Sequence, residues 1–202
     1  DQMPQARAKH KLCRRLGYCI WNQAKCPSAK RPYPAGQHGK TARKKKLSGY
    51  AEMLMEKQKL KAHYGLIERQ LVLAYEKAKK GEGLTDAKLI SALETRLDAV
   101  VYHSGMAPTI FAAKQFVTHR HILVDGQIVD RPSCHIKPGQ VISINTEKSP
   151  SIAETAKTTN ISTPPYIEFD REQLKVTLTR MPLAEEIPVQ VSVIRVVEYY
   201  AR

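Results

Sequence analysis

From Tyr50 onward the apolar residues recur with two different periods, and the change near His121 separates a helical stretch from a strand-forming one. Leu54, Leu60 and Tyr64 mark a first helix whose polar side carries Lys57, Lys59 and Lys61. Ile67, Leu71, Ala74, Tyr75 and Ala78 follow at i, i+4, i+7, i+8 and i+11, the stripe of an amphipathic helix, which Gly81 and Gly83 end. Thr85 or Asp86 can cap a third helix, in which Ile90, Leu93, Leu97, Val100 and Val101 recur until Gly105 stops it. Thr109 is placed to cap a short fourth helix, with Phe111, Ala112, Phe116 and Val117 buried and Lys114 facing out.

Beyond His121 the period is two. Ile122-Leu123-Val124, the pair Asp125-Gly126, and Gln127-Ile128-Val129 predict a tight hairpin, because Asp-Gly accepts the positive φ of a type I′ turn. Pro138-Gly139 is a second turn and Val141 to Ile144 a third strand. Residues 145 to 164 are polar and predict an exposed loop or a short polar helix, and Leu174 to Thr179 and Val189 to Val197 read as two more strands. The fold class is therefore α+β. The first 49 residues show neither period and are punctuated by Pro27, Pro32, Pro34, Gly36 and Gly39.

Charge gives that irregular segment a role. The 202 residues hold 33 Lys and Arg against 19 Asp and Glu, a formal +14, and residues 1 to 50 alone hold 13 basic residues against one acid. The profile is that of a basic arm ordered on a polyanion, nucleic acid before an anionic membrane. Tyr18, Ile20, Trp21 and Tyr33 supply more anchors than a solvating tail needs. Arg43, Lys44, Lys45 and Lys46 stand directly before the helix with Lys57, Lys59 and Lys61 and predict a continuous phosphate-tracking stripe. The length allows one or two domains and excludes a large multidomain enzyme. Apolar runs fall well short of a membrane span, and the N-terminus lacks the apolar core of a signal peptide, so an intracellular, soluble protein is expected.

Three motifs with chemical content fail on spacing. Cys13, Cys19 and Cys26 stand C-x5-C-x6-C, with His10 and His38 nearby, whereas a zinc site presents closely paired ligands; no metal and free thiols are expected. Gly39-Lys40-Thr41 ends like a phosphate-binding P-loop, but Pro34 occupies the position that needs glycine. Arg96-Leu97-Asp98 resembles the nucleophile motif of RNA pseudouridine synthases without its flanking residues, which predicts Asp98 on a helix flank, salt-bridged or solvated. His119 and His121 flank Arg120 at a helix-to-strand transition, where they suit phosphate contact or turn capping. Nucleophile, base and orienting group cannot be assembled, so no enzyme and no cofactor are expected.

The run Arg96 to Gly105, then Ala112 to His119, His121 to Gly126, Val129 and Lys137-Pro138-Gly139 resembles the helix-helix-hairpin RNA-binding module named after bacterial small ribosomal subunit protein four. Lys25-Cys26-Pro27, Arg31-Pro-Tyr-Pro-Ala-Gly-Gln-His-Gly39, Glu56 to Lys59, Tyr64 to Leu66, Glu68 to Gln70, Ile187-Pro188 and Val197 to Arg202 extend the resemblance to that ribosomal family itself over nearly the whole chain. The resemblance implies a basic rRNA-binding arm over 1–49, a helical domain over 50–92 completed by 180–202, and the RNA-binding module with a small sheet over 93–179, including the polar loop 145–164. It further implies a primary binder of small-subunit ribosomal RNA at a helix junction of the 5′ domain. Such proteins nucleate assembly of the small subunit, contact small-subunit protein five, influence decoding accuracy and lie where messenger RNA enters the subunit, in the cytoplasm. An RNA-modifying enzyme or RNA chaperone carrying the same module is the alternative.

The family's RNA-facing positions map onto Arg31, Tyr33, Gln37, His38, Gly39, Lys57, Lys59, Lys61, Thr109, Lys114, Gln115, His119 and His121. Charge adds Arg14, Arg15, Lys30, Lys40, Arg43 to Lys46, Arg69, Arg120 and Lys137. Ile110 stands where the module usually has Arg, Arg120 where it has Gly, and Asp125 where Asn is common, which shifts the expected affinity toward the arm. The family's zinc-binding members carry four N-terminal cysteines in C-x2-C and C-x4-C pairs; the pattern here implies the non-zinc form.

Overall fold

A computed structural model describes residues 9–41, 47–146, 148–159 and 162–202. Arg43, Lys44, Lys45 and Lys46 lie outside the described residues. The chain divides into two compact units, Asp1–Val72 with Val189–Arg202, and Leu73–Pro188.

The first unit holds α1 (Lys11–Leu16), α2 (Gly49–His63), the start of α3 (Glu68–Lys80) and α8 (Val193–Ala201). Ser48 caps α2 by accepting the Ala51 amide at 3.3 Å. The C-terminal run Val189 to Val197 reads as a strand because it is β-branched, yet the chain forms α8 instead. The reason is tertiary. Val196, Tyr199 and Tyr200, at i, i+3 and i+4, fall on one helical face against α2, and Glu56 accepts the Ser192 amide at 2.9 Å, satisfying the start of the helix. Within this face Lys57 donates to Glu68 at 2.7 Å and lies under the Tyr199 ring at 4.5 Å, while the Tyr200 hydroxyl donates to Glu68 at 2.8 Å.

The second unit continues from α3 through α4 (Thr85–Glu94), α5 (Leu97–His103), α6 (Ile110–Thr118), β1 (Ile122–Val124), β2 (Gln127–Ile128), β3 (Val141–Ile144), α7 (Pro150–Thr158), β4 (Ile167–Asp170) and β5 (Lys175–Leu178). The strands form one antiparallel sheet in the order β2-β1-β3-β5-β4. The expected hairpin is present, with Asp125 at φ 49° and Gly126 at φ 80°. Ile122, Ile142, Val176 and Leu178 are fully buried from the sheet, as are Leu97, Val100 and Val101 from α5, which packs on α6. The polar stretch after β3 contains a nine-residue helix with Pro150 in its first turn, and β4 (Ile-Glu-Phe-Asp) alternates over only four residues, too short a run for a periodicity reading.

Two helical expectations are corrected. The single helix predicted from Thr85 to Gly105 is two, because Arg96 is extended (ψ 141°) and the backbone there pairs with residues 132–136: Leu97 donates to Cys134 O at 2.7 Å and Ile136 to Thr95 O at 2.7 Å. Helix α6 is capped by Thr109, whose hydroxyl accepts the Ala112 amide at 3.1 Å, but its buried face is Ile110, Ala113 and Val117. Phe111, Ala112 and Phe116 are half-buried, so the stripe is rotated from the one expected.

Candidate nucleic-acid interface

The two units differ completely in charge. The first carries 19 Lys and Arg against 5 Asp and Glu, and the second 14 against 14, so the whole excess of +14 belongs to the first.

In the arm, Gly17 ends α1 in the left-handed conformation (φ 85°), its amide donating to Cys13 O at 2.9 Å, and turns the chain back on itself. Arg14 then organises the following loop. Its guanidinium donates to the carbonyls of Tyr33 and Pro34 at 3.2 and 3.3 Å and lies 5.2 Å from the Tyr33 ring centroid, with Lys40 at 6.0 Å from the same ring. The Thr41 hydroxyl donates to His38 O, and Gly39 is buried where a Cβ would collide with the carbonyl oxygen of Pro34. Around this tight turn Lys30, Arg31, Gln37, His38 and Lys40 are exposed, as is Arg15 on α1. Arg14 and Tyr33 build the loop; their neighbours face solvent. Trp21 anchors the arm to the end of α2, its indole N–H donating to His63 O at 3.2 Å.

The α2 lysines are engaged inside the protein. Lys57 is 5% exposed and pairs with Glu68, Lys61 pairs with Glu68 at 2.9 Å, and Lys59 pairs with Glu56 at 2.6 Å. Burial opposes the charge of Lys57, but Glu68 outweighs it and raises its pKa. Glu68, despite its own burial, is brought down to about 2 by hydrogen bonds from Lys57, Lys61 and Tyr200. Sequence reading missed this role because the shared partner of Lys57 and Lys61, Glu68, lies on the next helix, and the Glu56–Lys59 pair on α2 was read only for its cation. Arg69 is exposed.

In the second unit Gln115, His119 and Arg120 are exposed at the end of α6, and Lys137 beside the Pro138-Gly139 turn. Arg120 sits at φ 64° and donates to Asp130 at 3.1 Å, the His119 and His121 rings are 6.0 Å apart, and His121 Nδ1 meets the Ser149 hydroxyl. Lys114, expected to face out, is half-buried 3.6 Å from the Asp98 carboxylate, and burial lowers its pKa against that attraction. The Asp125 carboxylate accepts the Val141 amide and the Gln140 side-chain amide, both at 2.9 Å, and its pKa is lowered by them; the acid serves the turn.

Asp98, the residue of the pseudouridine-synthase likeness, is 1% exposed and held bidentately by Arg96 at 3.0 and 2.8 Å. A carboxylate so enclosed cannot attack a substrate. Glu94, fully buried, is bound by His103 at 2.8 Å and by the Tyr166 hydroxyl at 3.1 Å, and burial beside Glu94 raises the Tyr166 pKa. Among the described residues every buried side-chain polar atom has a partner.

One grouping runs against the spacing argument. His10, Cys13, Cys19 and Cys26 stand with one donor atom each within 4.8 Å of one another. His10 Nδ1 is 3.2 Å from Cys26 Sγ, the Ser28 hydroxyl donates to Cys26 Sγ at 3.1 Å, and the Gln23 amide donates to Cys19 Sγ at 3.4 Å. Burial pushes the Cys13 thiol up to about 12. For Cys26 burial acts the same way, but hydrogen bonds from Ser28, Cys19 and Cys13 outweigh it and lower the pKa. The legible signal was His10-x2-Cys13, a paired spacing once histidine is counted with the cysteines.

Residues 5–94 match the model of the ribosomal protein S4/S9 N-terminal domain, and residues 95–142 that of the S4 domain. The small ribosomal subunit protein uS4 of Bifidobacterium adolescentis is 46% identical over 204 residues, covering 98% of each chain. Those of Beutenbergia cavernae and Leifsonia xyli are 44% and 43% identical, again over 98% of each chain.

Proposed function

The chain belongs to the uS4 family of small ribosomal subunit proteins, and from that membership we infer a structural, non-enzymatic component of the small subunit that binds its ribosomal RNA in the cytoplasmic ribosome. The observation that carries this reading is the confinement of the net charge to the unit holding the Arg31–Lys40 turn.

Residues 1–49 form the RNA-binding arm, 50–92 with 180–202 the helical domain, and 93–179 the RNA-binding module. Arg15, Lys30, Arg31, Gln37, His38, Lys40 and Arg43 to Lys46 neutralise phosphates and release counterions, while Arg14, Tyr33 and Gly39 hold the turn that fits an irregular RNA backbone. Gln115, His119, Arg120 and Lys137 read the shape of a second RNA segment, since the deep A-form major groove excludes side chains. Lys57, Lys61 and Lys59 act chiefly by building the platform beneath the arm, which their ion pairs support. The RNA is a helix junction of the 5′ domain, where binding nucleates assembly; small-subunit protein five and messenger RNA entering the subunit are the further neighbours, through which decoding accuracy is influenced.

A filter-binding salt titration with small-subunit RNA tests the assignment. With roughly 6–10 phosphate contacts, affinity falls steeply between about 50 and 200 mM salt. Neutralising Arg43 to Lys46 weakens binding and flattens the salt slope more than neutralising Lys114 and Lys137 together; the reverse order refutes the dominance of the arm. Retention on small subunits through a high-salt wash separates an integral component from a loosely bound chaperone.

A further inference from the structure

We propose that Asp130 holds Arg120 in reserve in the free protein and that a phosphate of the bound RNA takes the carboxylate's place, so that Arg120 adds to binding only where the RNA supplies a phosphate at that point. The proposal rests on the reading above that the end of α6 faces RNA. Arg120 occupies a position that does not suit its type. Helix α6 ends in a Schellman turn, in which the Arg120 amide donates to Val117 O and the His121 amide to Phe116 O, both at 3.0 Å. Arg120 thereby takes the left-handed conformation (φ 64°) that glycine adopts without steric cost. The turn favours glycine, and a long cationic side chain held there against that preference points to a role outside the turn.

The contact with Asp130 is one that exchanges. Arg120 Nε and one terminal nitrogen donate at 3.3 and 3.1 Å to the same carboxylate oxygen, Oδ2, unlike the two-oxygen fork by which Asp98 holds Arg96. The Arg120 and Asp130 side chains are 68% and 46% exposed, against 10% and 1% for Arg96 and Asp98. Water screens such an exposed pair, and parting it loses little free energy. A phosphate in the same place accepts from the guanidinium through two separate oxygens, the geometry Arg favours. Gln115 and His119 are exposed on the same end of α6, while His121 is taken up by the Ser149 hydroxyl.

The exchange gives the pair a function that an unpaired arginine lacks. A free guanidinium adds affinity for any RNA that drifts against it, whereas a latched one is released only when the remaining contacts fix a phosphate opposite it. Asp130 is thereby a specificity-determining residue, which lowers the capture of unrelated RNA with some loss of affinity for the matching one. The second unit, with as many acids as bases, has no general positive field to draw RNA in, so its contacts depend on such local pairing.

Filter binding with the full chain tests the exchange on the unsubstituted protein, Arg120→Gln, Asp130→Asn and the double variant. On small-subunit RNA, Arg120→Gln is expected to weaken binding about fivefold and to lower the salt slope by about 0.7–0.9, the share of one phosphate. Asp130→Asn is expected to strengthen binding about threefold or more, and that gain is expected to vanish when Arg120 is already Gln. On an unrelated RNA duplex, Arg120→Gln is expected to lose less than about twofold while Asp130 is present and about fivefold once it is Asn. A gain from Asp130→Asn that persists without Arg120 shows an acid that merely repels RNA, weaker binding by Asp130→Asn shows one that positions the arginine, and equal Arg120→Gln losses on both RNAs show an arginine never withheld. Each of these overturns the proposal. Lys137→Gln, outside the pair, separates it from the reading on which it rests: a loss there without an Arg120 effect overturns the exchange alone, and no loss in either overturns the RNA-facing assignment of the module. Arg120→Gly checks for a purely structural role. It relieves the left-handed residue, so the last amides of α6 are expected to exchange with solvent no faster than in the unsubstituted chain while RNA binding falls as with Arg120→Gln. Faster exchange accompanying the weaker binding makes Arg120 a helix cap and overturns the proposal.

Discussion

Replacing Glu68 by Gln removes the anion that ties α8 to α2, and its cost can be worked from the structure. The carboxylate accepts from Lys57 at 2.7 Å, Lys61 at 2.9 Å and Tyr200 at 2.8 Å, and these contacts hold its pKa near 2 against an ordinary 4.5. A shift of that size corresponds to roughly 3 kcal/mol. The Glu68 side chain is 43% exposed, so solvent screening reduces its own share to about 1–2 kcal/mol. Removing the anion also leaves the Lys57 ammonium, 5% exposed, beside the Tyr199 ring and hydroxyl and the Tyr200 ring but without its anionic partner, a further destabilisation of about 1 kcal/mol or more. The expected loss is about 2–3 kcal/mol.

Trp21 makes the measurement specific: it is the sole tryptophan and lies in the same unit as Glu68. Urea unfolding followed by its fluorescence should show the Glu68→Gln midpoint lowered by roughly 1 M for a slope of about 2 kcal/mol/M. Adding Lys57→Met should recover part of the loss, because the stranded charge is gone. The pH profile carries the sign. A carboxylate whose folded pKa lies below its unfolded one contributes fully above about 4.5, and that contribution disappears as pH falls toward about 2, so Glu68→Gln should lack this acid-dependent component. A midpoint shift worth less than about 0.5 kcal/mol, or strict additivity with Lys57→Met, would refute the reasoning.

Asp98→Asn leaves the buried Arg96 guanidinium without its bidentate partner and should destabilise the second unit by about 3 kcal/mol, measurable by amide exchange in α5 and α6. Tyr166→Phe removes a hydrogen bond to the fully buried Glu94, a loss of about 1–3 kcal/mol in the same measurement. Gly39→Ala forces the Pro34–Gly39 turn open and should reduce RNA affinity at least tenfold in filter binding while the Trp21 urea midpoint moves little; unchanged affinity would detach the turn from RNA recognition.

What the sequence determined by itself is local or additive. The hairpin at Asp125-Gly126 needs only two residues that accept positive φ, the α6 cap needs only Thr109, and the basic arm is a count of charges. The family likeness was legible because its signature turns are contiguous. Tertiary structure decided whatever depends on a distant partner. Val193–Ala201 is a helix because α2 supplies Glu56 to its first amide and Lys57 to its tyrosines, overriding a β-branched composition. The α4–α5 break exists because residues 132–136 claim the backbone at Thr95 and Leu97. Lys57 and Lys61, read from one helix as part of a phosphate stripe, are ion-paired because Glu68 arrives from the next helix. Likewise the four donors of the arm share a site because the left-handed residues Gly17 and Asn22 reverse the chain between them, a fold-back that residue spacing alone does not encode.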